Sequence, residues 1–340
     1  MKGLFARRAR ASVGWFVPMN HSNFDKLPAS VWIRCLQLLP YLKELGFEST
    51  VNDLNARTDV AVFVRWQNDA AHERALSLKK QGTPIVFDLC VNYFDEAVAL
   101  GVGAAVTRRH IEDCLRMVAL ADVVTTASCY IAERARQHHG RVVYIPDSID
   151  PSHFQYSKRG RDFDRRPLRA VWCGVAPKAI ELEPLLPLLS SSGIDLTVIA
   201  DRPPDLTLRT ESGEQTFAYT YRRWAYRTFP RDLLEGEICL SHRRLDNEYN
   251  QGHSHFKIGV FLAAGVPALA SQVPSYCEIL DRHECGAVCR SFEEWQAALE
   301  LILKDRSVLK QWGQCAKAAM EPYATPRVAA QYAEIFESLR

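Results

Sequence analysis

The sequence contains no run of 18 apolar residues, so no ordinary membrane-spanning helix is expected in it. Charge of one sign is not in surplus either, because 42 lysines and arginines face 40 acids, for a formal net charge of +2. Since the arginines are also scattered, this balance predicts no strong attraction to nucleic acid. Low-complexity tracts and short-period repeats are absent, and 340 residues suit a globular protein of two domains.

Metal and disulfide chemistry find little support in the sequence. There are ten cysteines but no Cys-x-x-Cys pair, and several cysteines stand inside apolar runs such as AVWCG and EICLS. His242, His253 and His255 do not follow a zinc-binding spacing. We therefore expect reduced core thiols, no bound metal and a cytoplasmic protein.

The first residues, MKGLFARRAR, are basic and lead directly into the apolar run ASVGWFV. That run is too short for the core of a signal peptide, and we interpret it as the first strand of the fold. Two interpretations of the basic residues stay open. They form either a solvated tail or a peripheral contact with an anionic membrane surface.

Strand and helix patterns alternate along both halves of the chain, on either side of the polar segment DPSHFQYSKRGRDFDRRP. The main predicted strands are 11–19, 59–66, 83–90, 168–174, 194–201 and 237–243. Predicted helices include 30–46 and 70–82, each ending in a glycine. In the first of them, Ser30 is the expected N-cap and Pro40 the expected kink.

This alternation predicts an α/β protein with two doubly wound parallel sheets, each covered on both faces. The predicted domains are 1–160 and 161–322, with a separate C-terminal helix at 323–340. Ligands of such sheets bind beyond the carboxyl ends of the strands. A cleft between the two domains is therefore the expected ligand site.

The most informative stretch is HSHFKIGVFLAAGVPALASQVPSYCEIL, residues 253–280. Ser254 or His255 is expected to cap a helix whose first amides point outward, at the positive end of the helix dipole. Lys257 lies in the first turn, where a cation opposes the dipole unless an anion is bound. Two interpretations stay open: a pyrophosphate cradle, or a lysine whose ammonium group reaches solvent.

The sequence also indicates where this helix ends. Gly265 is expected in the left-handed conformation that ends a helix, and ALAS then forms a short strand. The carboxyl end of that strand is expected to bring Ser271, Ser275 and Tyr276 to the ligand edge of the sheet.

The order K-x7-G-V-P-x-L-A-S-x-V-P-S-Y-x-E-I, from Lys257 to Ile279, resembles the donor-binding region of glycosyltransferases with the GT-B fold. It is most similar to the large retaining family 4, which includes many bacterial polysaccharide and lipopolysaccharide enzymes. The segments ADVVTTASCYIAERARQHHGRVVYIPDSID and LRAVWCGVAPKAIELEPLLPLL resemble the end of the first domain and the start of the second. The resemblance covers residues 28–340.

The resemblance implies two Rossmann-like domains and a C-terminal helix that crosses back to the first domain. A nucleoside diphosphate sugar would lie on the second domain and the acceptor on the first. Transfer would retain configuration without a metal, and residues 253–280 contain no Asp-x-Asp. Lys257 and the helix amides would hold the diphosphate, where negative charge grows as the glycosidic bond breaks, and Ser254 and His255 would belong to the donor-binding residues.

The sequence departs from the family pattern at three places. Two glutamates that the family often carries fall at Gly252 and Val260, and Val175 stands where an arginine is usual. Lys178 is the only nearby cation, and we assign it to the diphosphate. The contacts to the sugar and the ribose therefore cannot be transferred from the family.

Asp246 or Glu248 could replace the missing acids, or both could be ordinary surface acids of a loop. Two interpretations stay open for the aromatic residues Tyr221, Trp224 and Tyr226. They either stack on a nucleobase or pack in the core.

Three residues of the first half are candidates for the acceptor side. Arg34, near the start of helix 30–46, would bind an anion or lie exposed. Asp88 ends the strand TPIVFD and Asp95 follows in a loop, so either could position an acceptor hydroxyl or act as a base, or else cap a turn.

The sequence thus predicts a glycosyltransferase with Lys257, Asp88 and Arg34 in catalytic roles and no cofactor. Its partners would be a nucleotide sugar and an unidentified glycan, lipid-linked or small-molecule acceptor. A monomer or homodimer is expected. Two alternatives stay open: a nucleotide-sugar epimerase or pseudo-glycosyltransferase, and a non-catalytic partner subunit, which the missing acids at positions 252 and 260 favour.

Overall fold

The computed structural model describes residues 11–19, 23–98, 105–211 and 213–340. The basic tail before Ala11, considered above as a membrane contact, lies outside these residues. The chain divides into two compact units. The first contains the described residues up to Glu96, Val106–Asp150 and Tyr323–Arg340, and the second consists mainly of Pro151–Pro322.

The first unit is built on a sheet of six parallel strands. Its first four strands are β1 (Ala11–Phe16), β2 (Phe47–Val51), β3 (Val60–Val64) and β4 (Ile85–Leu89). After two two-residue strands, β5 (Ala97–Val98) and β6 (Ala105–Val106), come β7 (Val123–Thr126) and β8 (Val142–Tyr144). The order across the sheet is β2-β1-β3-β4-β7-β8. The runs VAVFV and IVFDL of β3 and β4 are buried throughout, as interior parallel strands require.

The first unit also contains helices that alternate with its strands along the chain. They are α1 (Ala29–Val31), α2 (Leu39–Glu44), α3 (Asp69–Lys80), α4 (Arg108–Leu120) and α5 (Cys129–Arg136), with a 3-10 turn at Phe24–Lys26. Asn68, Thr107 and Ser128 cap α3, α4 and α5 by accepting a backbone N–H, which satisfies amides that the helix itself leaves unpaired.

The predicted continuous helix over 30–46 is wrong in detail. A π-helical turn at Trp32–Leu36 separates α1 from α2, and Pro28 rather than Ser30 precedes the first helical residue. Pro40 does not kink a continuing helix, because it occupies the first turn of α2, where no backbone N–H is needed.

The second unit also contains six parallel strands. These are β9 (Arg169–Cys173), β10 (Asp195–Ala200), β13 (Thr220–Arg223), β14 (Ile238–Ser241), β15 (Ala268–Ser271) and β16 (Gly286–Cys289). Their order is β13-β10-β9-β14-β15-β16, and a hairpin of β11 (Thr207–Thr210) and β12 (Gly213–Thr216) precedes β13. The order reverses direction between β9 and β14, and in doubly wound sheets this switch point is where ligands bind.

The remaining elements complete the second unit and return to the first. The second unit has 3-10 stretches at Gly160–Phe163, Ala176–Leu185 and Leu233–Glu235. Its α-helices are α6 (Leu186–Ser191), α7 (Phe229–Asp232), α8 (Glu248–Gln251), α9 (Phe256–Ala263), α10 (Pro274–Leu280), α11 (Phe292–Lys304) and α12 (Ser307–Met320). A 3-10 turn at Glu321–Tyr323 leads to α13 (Thr325–Ser338).

The C-terminal helix α13 packs within the first unit. The rings of Tyr332 and Phe336 meet Trp15 of β1 edge-on, with centroids 5.7 and 6.1 Å away, and Phe336 also meets Phe47. All four side chains are fully buried, so the helix forms part of the core of that unit. In the part of the chain described here, no helix is both long and apolar enough to cross a bilayer.

Candidate functional site

The candidate site lies at the switch point of the second sheet. Gly174 directly follows β9, Arg243 follows β14 by two residues, and α9 begins with Lys257 in its first turn. The carboxyl ends of parallel strands meet at one edge of a sheet, and the N-terminus of α9 adds the positive end of its dipole.

The ammonium group of Lys257 is the central feature. Its Nζ lies 4.2 Å from the ring centroid of the buried Trp172, and the nitrogen is itself buried with no hydrogen-bond partner among the described residues. A Cβ added to Gly174 would lie 3.3 Å from this nitrogen and 2.7 Å from the Trp172 ring. The glycine therefore keeps open a small notch beside an unpaired cation.

The surroundings of Lys257 lower the pKa of its ammonium group to about 7. Burial is the largest cause, and the charge of Arg243 adds to it, while the carboxylate of Glu181 acts in the opposite direction. A buried cation that lacks a counter-ion is unfavourable. An anion in contact with Nζ would reverse this effect.

Arg243 is held by a buried carboxylate that the sequence did not single out. Its Nη1 lies 3.0 Å from Oε2 of Glu181, and both side chains are at most 4 % exposed. The other oxygen of Glu181 accepts a hydrogen bond of 2.7 Å from Asn250 Nδ2. Arg243 is further fixed through its backbone N–H, which donates to Ser271 Oγ at 2.8 Å. The guanidinium is therefore placed rigidly beside Lys257.

A third cation, Lys178, completes the cluster. Its Nζ lies 3.2 Å from Nε2 of His253 and 4.8 Å from the ring centroid of Tyr249. The pKa of His253 is well below its ordinary value, first because of burial and then because of the charges of Arg243, Lys178 and Lys257. His253 is thus a neutral residue in the field of three cations.

The cluster brings three cationic side chains together when Lys257 is protonated. These are Lys178, Arg243 and Lys257, and the carboxylate of Glu181 pairs with Arg243. A nucleoside diphosphate or a pyrophosphate group has the size and charge that such a cluster can bind.

Three serine and tyrosine residues predicted as contacts to the sugar donor have supporting positions instead. Ser275 Oγ donates to the backbone oxygen of His253 at 2.6 Å, and Ser271 accepts from Arg243. Tyr276 is fully buried and its hydroxyl accepts from Ser241 Oγ at 3.3 Å. These side chains are therefore directed at the protein itself, and they position Arg243 and His253.

Ser254 and His255 begin the helix, as predicted. His255 is the N-cap of α9, without a side-chain capping bond, and its side chain is 1 % exposed. Ser254 Oγ accepts from the backbone N–H of Phe256 at 3.4 Å. Gly265 has a φ of 73° and ends the helix in the predicted left-handed conformation, which glycine adopts without strain.

Trp224 is not brought to the cations themselves. It follows the edge strand β13, and its ring lies 5.9 Å from that of Phe229. Phe229 meets Phe154, which in turn meets Phe256, the residue before Lys257. Trp224 therefore belongs to an aromatic wall that ends next to the cluster.

The other two members of the predicted aromatic patch also have partners. Tyr226 stacks on His153 with a centroid distance of 4.1 Å, and Tyr221 donates to the backbone oxygen of Ala200.

Asp246, one of the acids proposed as replacements for the family glutamates, has its partner outside the cluster. Asp246 is paired with Arg244 at 3.0 Å on the surface, and Glu248 is the first residue of α8. Position 260 cannot supply a ligand-binding group, because Val260 is buried in the core face of α9 at 1 % exposure. Gly252 directly follows α8.

The predicted catalytic roles of Arg34 and Asp88 need correction. Both side chains are buried, at 1 % and 0 % exposure, and they bind each other through two hydrogen bonds of 3.0 and 2.7 Å. Thr125 and Tyr332 donate further hydrogen bonds to Asp88. Both carboxylate oxygens of Asp88 are thus engaged by buried neighbours. The pair is a structural element of the first unit.

Asp95 and the histidines likewise have structural partners. Asp95 accepts from Asn92 at 3.0 Å and pairs with Arg134 at 3.3 Å. His242 bonds to the backbone oxygen of Glu181. Among the described residues, no group of three or more His, Cys, Asp and Glu side chains is arranged to hold a metal ion.

The single Asp-x-Asp of the chain, Asp162 to Asp164, lies in the polar segment between the two halves. Asp162 accepts from the backbone N–H of Arg159, and Asp164 pairs with Lys310 at 2.8 Å. These contacts are internal to the second unit.

Sequence reasoning overlooked Arg243, Gly174 and Glu181. Arg243 and Gly174 follow predicted strands at their carboxyl ends, so the rule that selected Ser271 would have found them. Glu181 gave no such signal, because it stands in a 3-10 stretch between Ala176 and Leu185 that resembles an ordinary helix in sequence.

Neither a protein-family model nor a curated protein sequence matches the chain. Solved structures match along nearly its whole length. A sucrose-phosphate synthase from Thermosynechococcus elongatus is similar with a TM-score of 0.68 and 11% identity, over 97% of this chain and 99% of that one. HepE of Anabaena, in complex with UDP-glucose, is similar with a TM-score of 0.66 and 13% identity, over 96% and 100%.

Two further structures help to define the class. WaaG, a glycosyltransferase involved in lipopolysaccharide biosynthesis, matches with a TM-score of 0.62 and 12% identity, over 95% of this chain and 99% of its own. A putative UDP-N-acetylglucosamine 2-epimerase from Listeria monocytogenes matches with a TM-score of 0.55 and 10% identity, over 97% and 96%. The chain therefore has the fold of the GT-B glycosyltransferases, with two parallel six-stranded sheets, as predicted from the sequence.

Proposed function

We propose that the protein is a glycosyltransferase that takes a sugar from a nucleoside diphosphate sugar and transfers it to an acceptor hydroxyl with retention of configuration. The observation that carries the proposal is the ammonium group of Lys257, which is buried, unpaired among the described residues and next to the notch at Gly174. An unpaired buried cation lowers the stability of the folded chain. Its presence is explained if it binds a ligand of opposite charge.

The diphosphate is the ligand whose chemistry fits the cluster. Lys178 and Lys257 supply point charges, and the rigid Arg243 supplies planar N–H donors suited to phosphate oxygens. The N-terminal amides of α9 add the positive end of a helix dipole. Because Glu181 holds Arg243 in place before the ligand arrives, little reorganisation is needed on binding.

The transfer itself exchanges one bond for another at the anomeric carbon. The bond from that carbon to the β-phosphate oxygen breaks, and its electron pair leaves with the diphosphate. The acceptor oxygen forms the new bond on the same face of the sugar, and its proton passes to the departing phosphate oxygen. Cations that contact the diphosphate stabilise the growing charge more than the ground state, which accelerates the reaction.

Uridine diphosphate is the first nucleotide to test. The similar HepE structures include complexes with UDP-glucose, with UDP and glucose, and with UDP. This likeness supports a UDP-sugar as the first candidate donor.

The test is a calorimetric titration of the full chain with UDP, GDP and dTDP. UDP is expected to bind, and Lys257→Met is expected to weaken binding by about tenfold or more, since a charge-assisted contact is lost. Lys304→Met, which removes an exposed lysine of the same unit, is the matched control and should bind like the unaltered protein. Absence of binding for all three nucleotides would rule the proposal out.

One alternative keeps the nucleotide site but not the transfer. The burial of Val260 leaves no acid at a position where similar enzymes often carry one, which favours a subunit that binds nucleotide without turnover. The likeness to an epimerase supports a second alternative, in which the donor sugar is rearranged. Mass spectrometry of the products detects an acceptor adduct, which indicates transfer. Because an epimerised donor has the same mass as the original, NMR of the recovered donor separates the other two: an isomerised donor indicates an epimerase, and an unchanged donor indicates a binding subunit.

A further inference from the structure

The first unit contains a trough that the proposed sugar-donor site does not use. Two cavities of about 460 and 370 Å³ share Pro18 and Trp66 as walls. Residues 17–19 follow β1, Asn52 follows β2, and residues 65–68 follow β3. These segments lie at the carboxyl edge of the sheet, where the strand order reverses between β1 and β3. This is the position where doubly wound sheets bind ligands.

The backbone is strained at this edge and nowhere else outside glycine among the described residues. Asn52 and Arg65 have φ angles of 52° and 54°, in the left-handed region, and each lines one of the two cavities. Asparagine tolerates that conformation, but arginine rarely adopts it. Strain of this kind persists where function requires a particular side chain at a particular place. The position of Arg65 in this conformation at the cavity wall makes its side chain a candidate for a functional role.

The guanidinium of Arg65 is oriented by an aromatic neighbour. Its Nε donates to Tyr93 Oη at 2.7 Å, and its central carbon, Cζ, lies 6.0 Å from the centre of the Tyr93 ring. Tyr93 is 7 % exposed and stacks on His110 with a centroid distance of 5.9 Å, so it cannot move easily. An arginine held in this way is suited to a carboxylate or a phosphate group.

Gln67 provides an independent sign of a ligand. Its side chain is 8 % exposed, its Nε2 donates to the backbone oxygen of His110 at 3.1 Å, and its Oε1 is buried without a partner among the described residues. A buried amide oxygen without a hydrogen bond is unfavourable. A sugar hydroxyl at this point would donate to it. The shared wall, Trp66, offers the aromatic surface on which sugar rings pack.

We propose that this trough binds a negatively charged sugar, with its carboxylate or phosphate on Arg65 and a hydroxyl donating to Oε1 of Gln67. If the proposed function holds, this sugar is the acceptor of the transfer, and that assignment rests on the proposed function. The binding site itself does not, because every residue that forms it belongs to the first unit.

The test is binding of small probes to the full chain without nucleotide, followed by the fluorescence of the tryptophans and by NMR. The probes are glucose, glucuronic acid, glucose 6-phosphate and inorganic phosphate. One or both of the charged sugars should bind about tenfold or more tightly than glucose. Preference for glucuronic acid would identify a carboxylate as the charged group, and preference for glucose 6-phosphate would identify a phosphate. Equal binding of the three sugars, or inorganic phosphate binding as tightly as glucose 6-phosphate, would overturn the proposal.

Arg65→Gly is the decisive variant. A φ of 54° suits glycine, so the melting temperature should stay the same or rise, while the preference for charged sugars disappears. Arg57→Gly removes another exposed arginine of this unit, which lines neither cavity, and should keep the preference. A preserved preference in Arg65→Gly would contradict the role of the guanidinium.

Gln67 is tested by two variants. Gln67→Leu removes the acceptor oxygen and should weaken glucose and both charged sugars alike, by about fivefold. Gln67→Glu keeps an acceptor oxygen but adds a negative charge, so it should weaken the charged sugars and spare glucose. If neither variant changes the binding of any probe, Gln67 is not part of a sugar site. If the protein shows this binding pattern but does not bind UDP, the sugar site in the trough is supported and the proposed function is not.

Discussion

Arg34 and Asp88 form a two-pronged ion pair in the interior of the first unit, with Nε to Oδ1 at 3.0 Å and Nη2 to Oδ2 at 2.7 Å. The remaining capacity of both groups is also used. Arg34 donates to the backbone oxygen of Ile145 and to Asp147, and Thr125 donates to Asp88. Burial alone would lower the pKa of Arg34, but Asp88 and its other neighbours raise it well above its ordinary value. The pair joins the π-helical turn to the middle of the sheet.

Breaking this pair should affect stability rather than binding of the sugar donor. Arg34→Met leaves a buried, unpaired carboxylate, so the free energy of unfolding should fall by about 3–5 kcal/mol. Urea unfolding followed by circular dichroism measures this change. UDP affinity of the folded fraction should stay unchanged, because the proposed nucleotide site belongs to the second unit.

The double variant Arg34→Met with Asp88→Leu is the control for this prediction. Removing both charges leaves no unpaired carboxylate at position 88, so the double variant should be more stable than Arg34→Met alone, although both variants lose the contact of Arg34 with Asp147. A fully stable Arg34→Met protein that lost turnover would contradict the structural role and restore the catalytic one.

The strands were more predictable than the helices. VAVFV is a continuous apolar run and IVFDL is apolar except for Asp88, which predicts buried parallel strands directly, and the structure confirms them as β3 and β4. The segment 30–46 has a helical apolar pattern, yet it contains a π-helical turn between two short helices. Periodicity cannot distinguish these, because a π turn shifts the register only locally and keeps the apolar face buried.

At the candidate site, the sequence indicated which charges matter but not which are paired. Lys257 and Asp88 both occupy expected ligand edges, and only the structure distinguishes a lysine without a partner from a carboxylate that has three. The carboxylate partner of Arg243, Glu181, lies 62 residues away in sequence. A contact of that kind depends on the order of the strands, which local patterns do not contain.

The notch at Gly174 is expected to be essential for binding of the diphosphate. In Gly174→Ala the new methyl group would lie 3.3 Å from Lys257 Nζ and 2.7 Å from the Trp172 ring, which has no room to retreat. UDP affinity should fall by about tenfold or more, together with a loss of stability of about 1–3 kcal/mol from overpacking. Calorimetry and urea unfolding measure the two effects separately.

Gly236→Ala is the matched control for the notch. The methyl group added at position 236 would lie 2.7 Å from the side chain of Val171, which belongs to β9 like Trp172. The variant therefore overpacks β9 to a similar degree, but away from Lys257. A comparable loss of stability with unchanged UDP affinity is expected. If both variants lowered UDP affinity equally, the notch would have no specific role.

Binding of UDP above neutral pH should be accompanied by proton uptake. The pKa of Lys257 in the empty site is about 7, so most of the molecules carry a neutral amine at pH 8. Contact with the diphosphate favours the ammonium form, and uptake should approach about one proton per UDP at pH 8 and fall as the pH is lowered to 7. The phosphate of UDP is fully ionised at pH 8, since such groups titrate near about pH 6.

Calorimetry in buffers of different ionisation enthalpy measures this uptake. Lys257→Met should reduce it to near zero at pH 8. His253 should not replace it, because its pKa lies well below the ordinary value and the residue stays neutral. Unchanged uptake in Lys257→Met would assign the proton to another group and remove the lysine from the diphosphate contact.

Without a ligand, the same lysine should make the protein less stable at low pH. Its pKa is about 7 in the folded chain, against 10.5 for an ordinary lysine, so above pH 7 the unfolded chain binds the extra proton. The free energy of unfolding then rises with pH between about 7 and 10, and the full penalty of the buried ammonium applies below pH 7. Lys257→Met should therefore stabilise the chain at pH 6, by on the order of 1–3 kcal/mol.

Comparing the free energy of unfolding of the unaltered protein and of Lys257→Met at several pH values isolates the contribution of the lysine. Buried thiols away from Lys257, such as Cys35 and Cys114, have raised pKa values and lower the stability of both proteins equally as pH rises above about 8.5. Urea unfolding at pH 6, 7 and 8 should show the gain from Lys257→Met shrinking as pH rises. A gain that is constant over this range would mean that the lysine does not titrate there. Saturating UDP should abolish the gain at pH 6, because the bound diphosphate stabilises the ammonium form only in the unaltered protein.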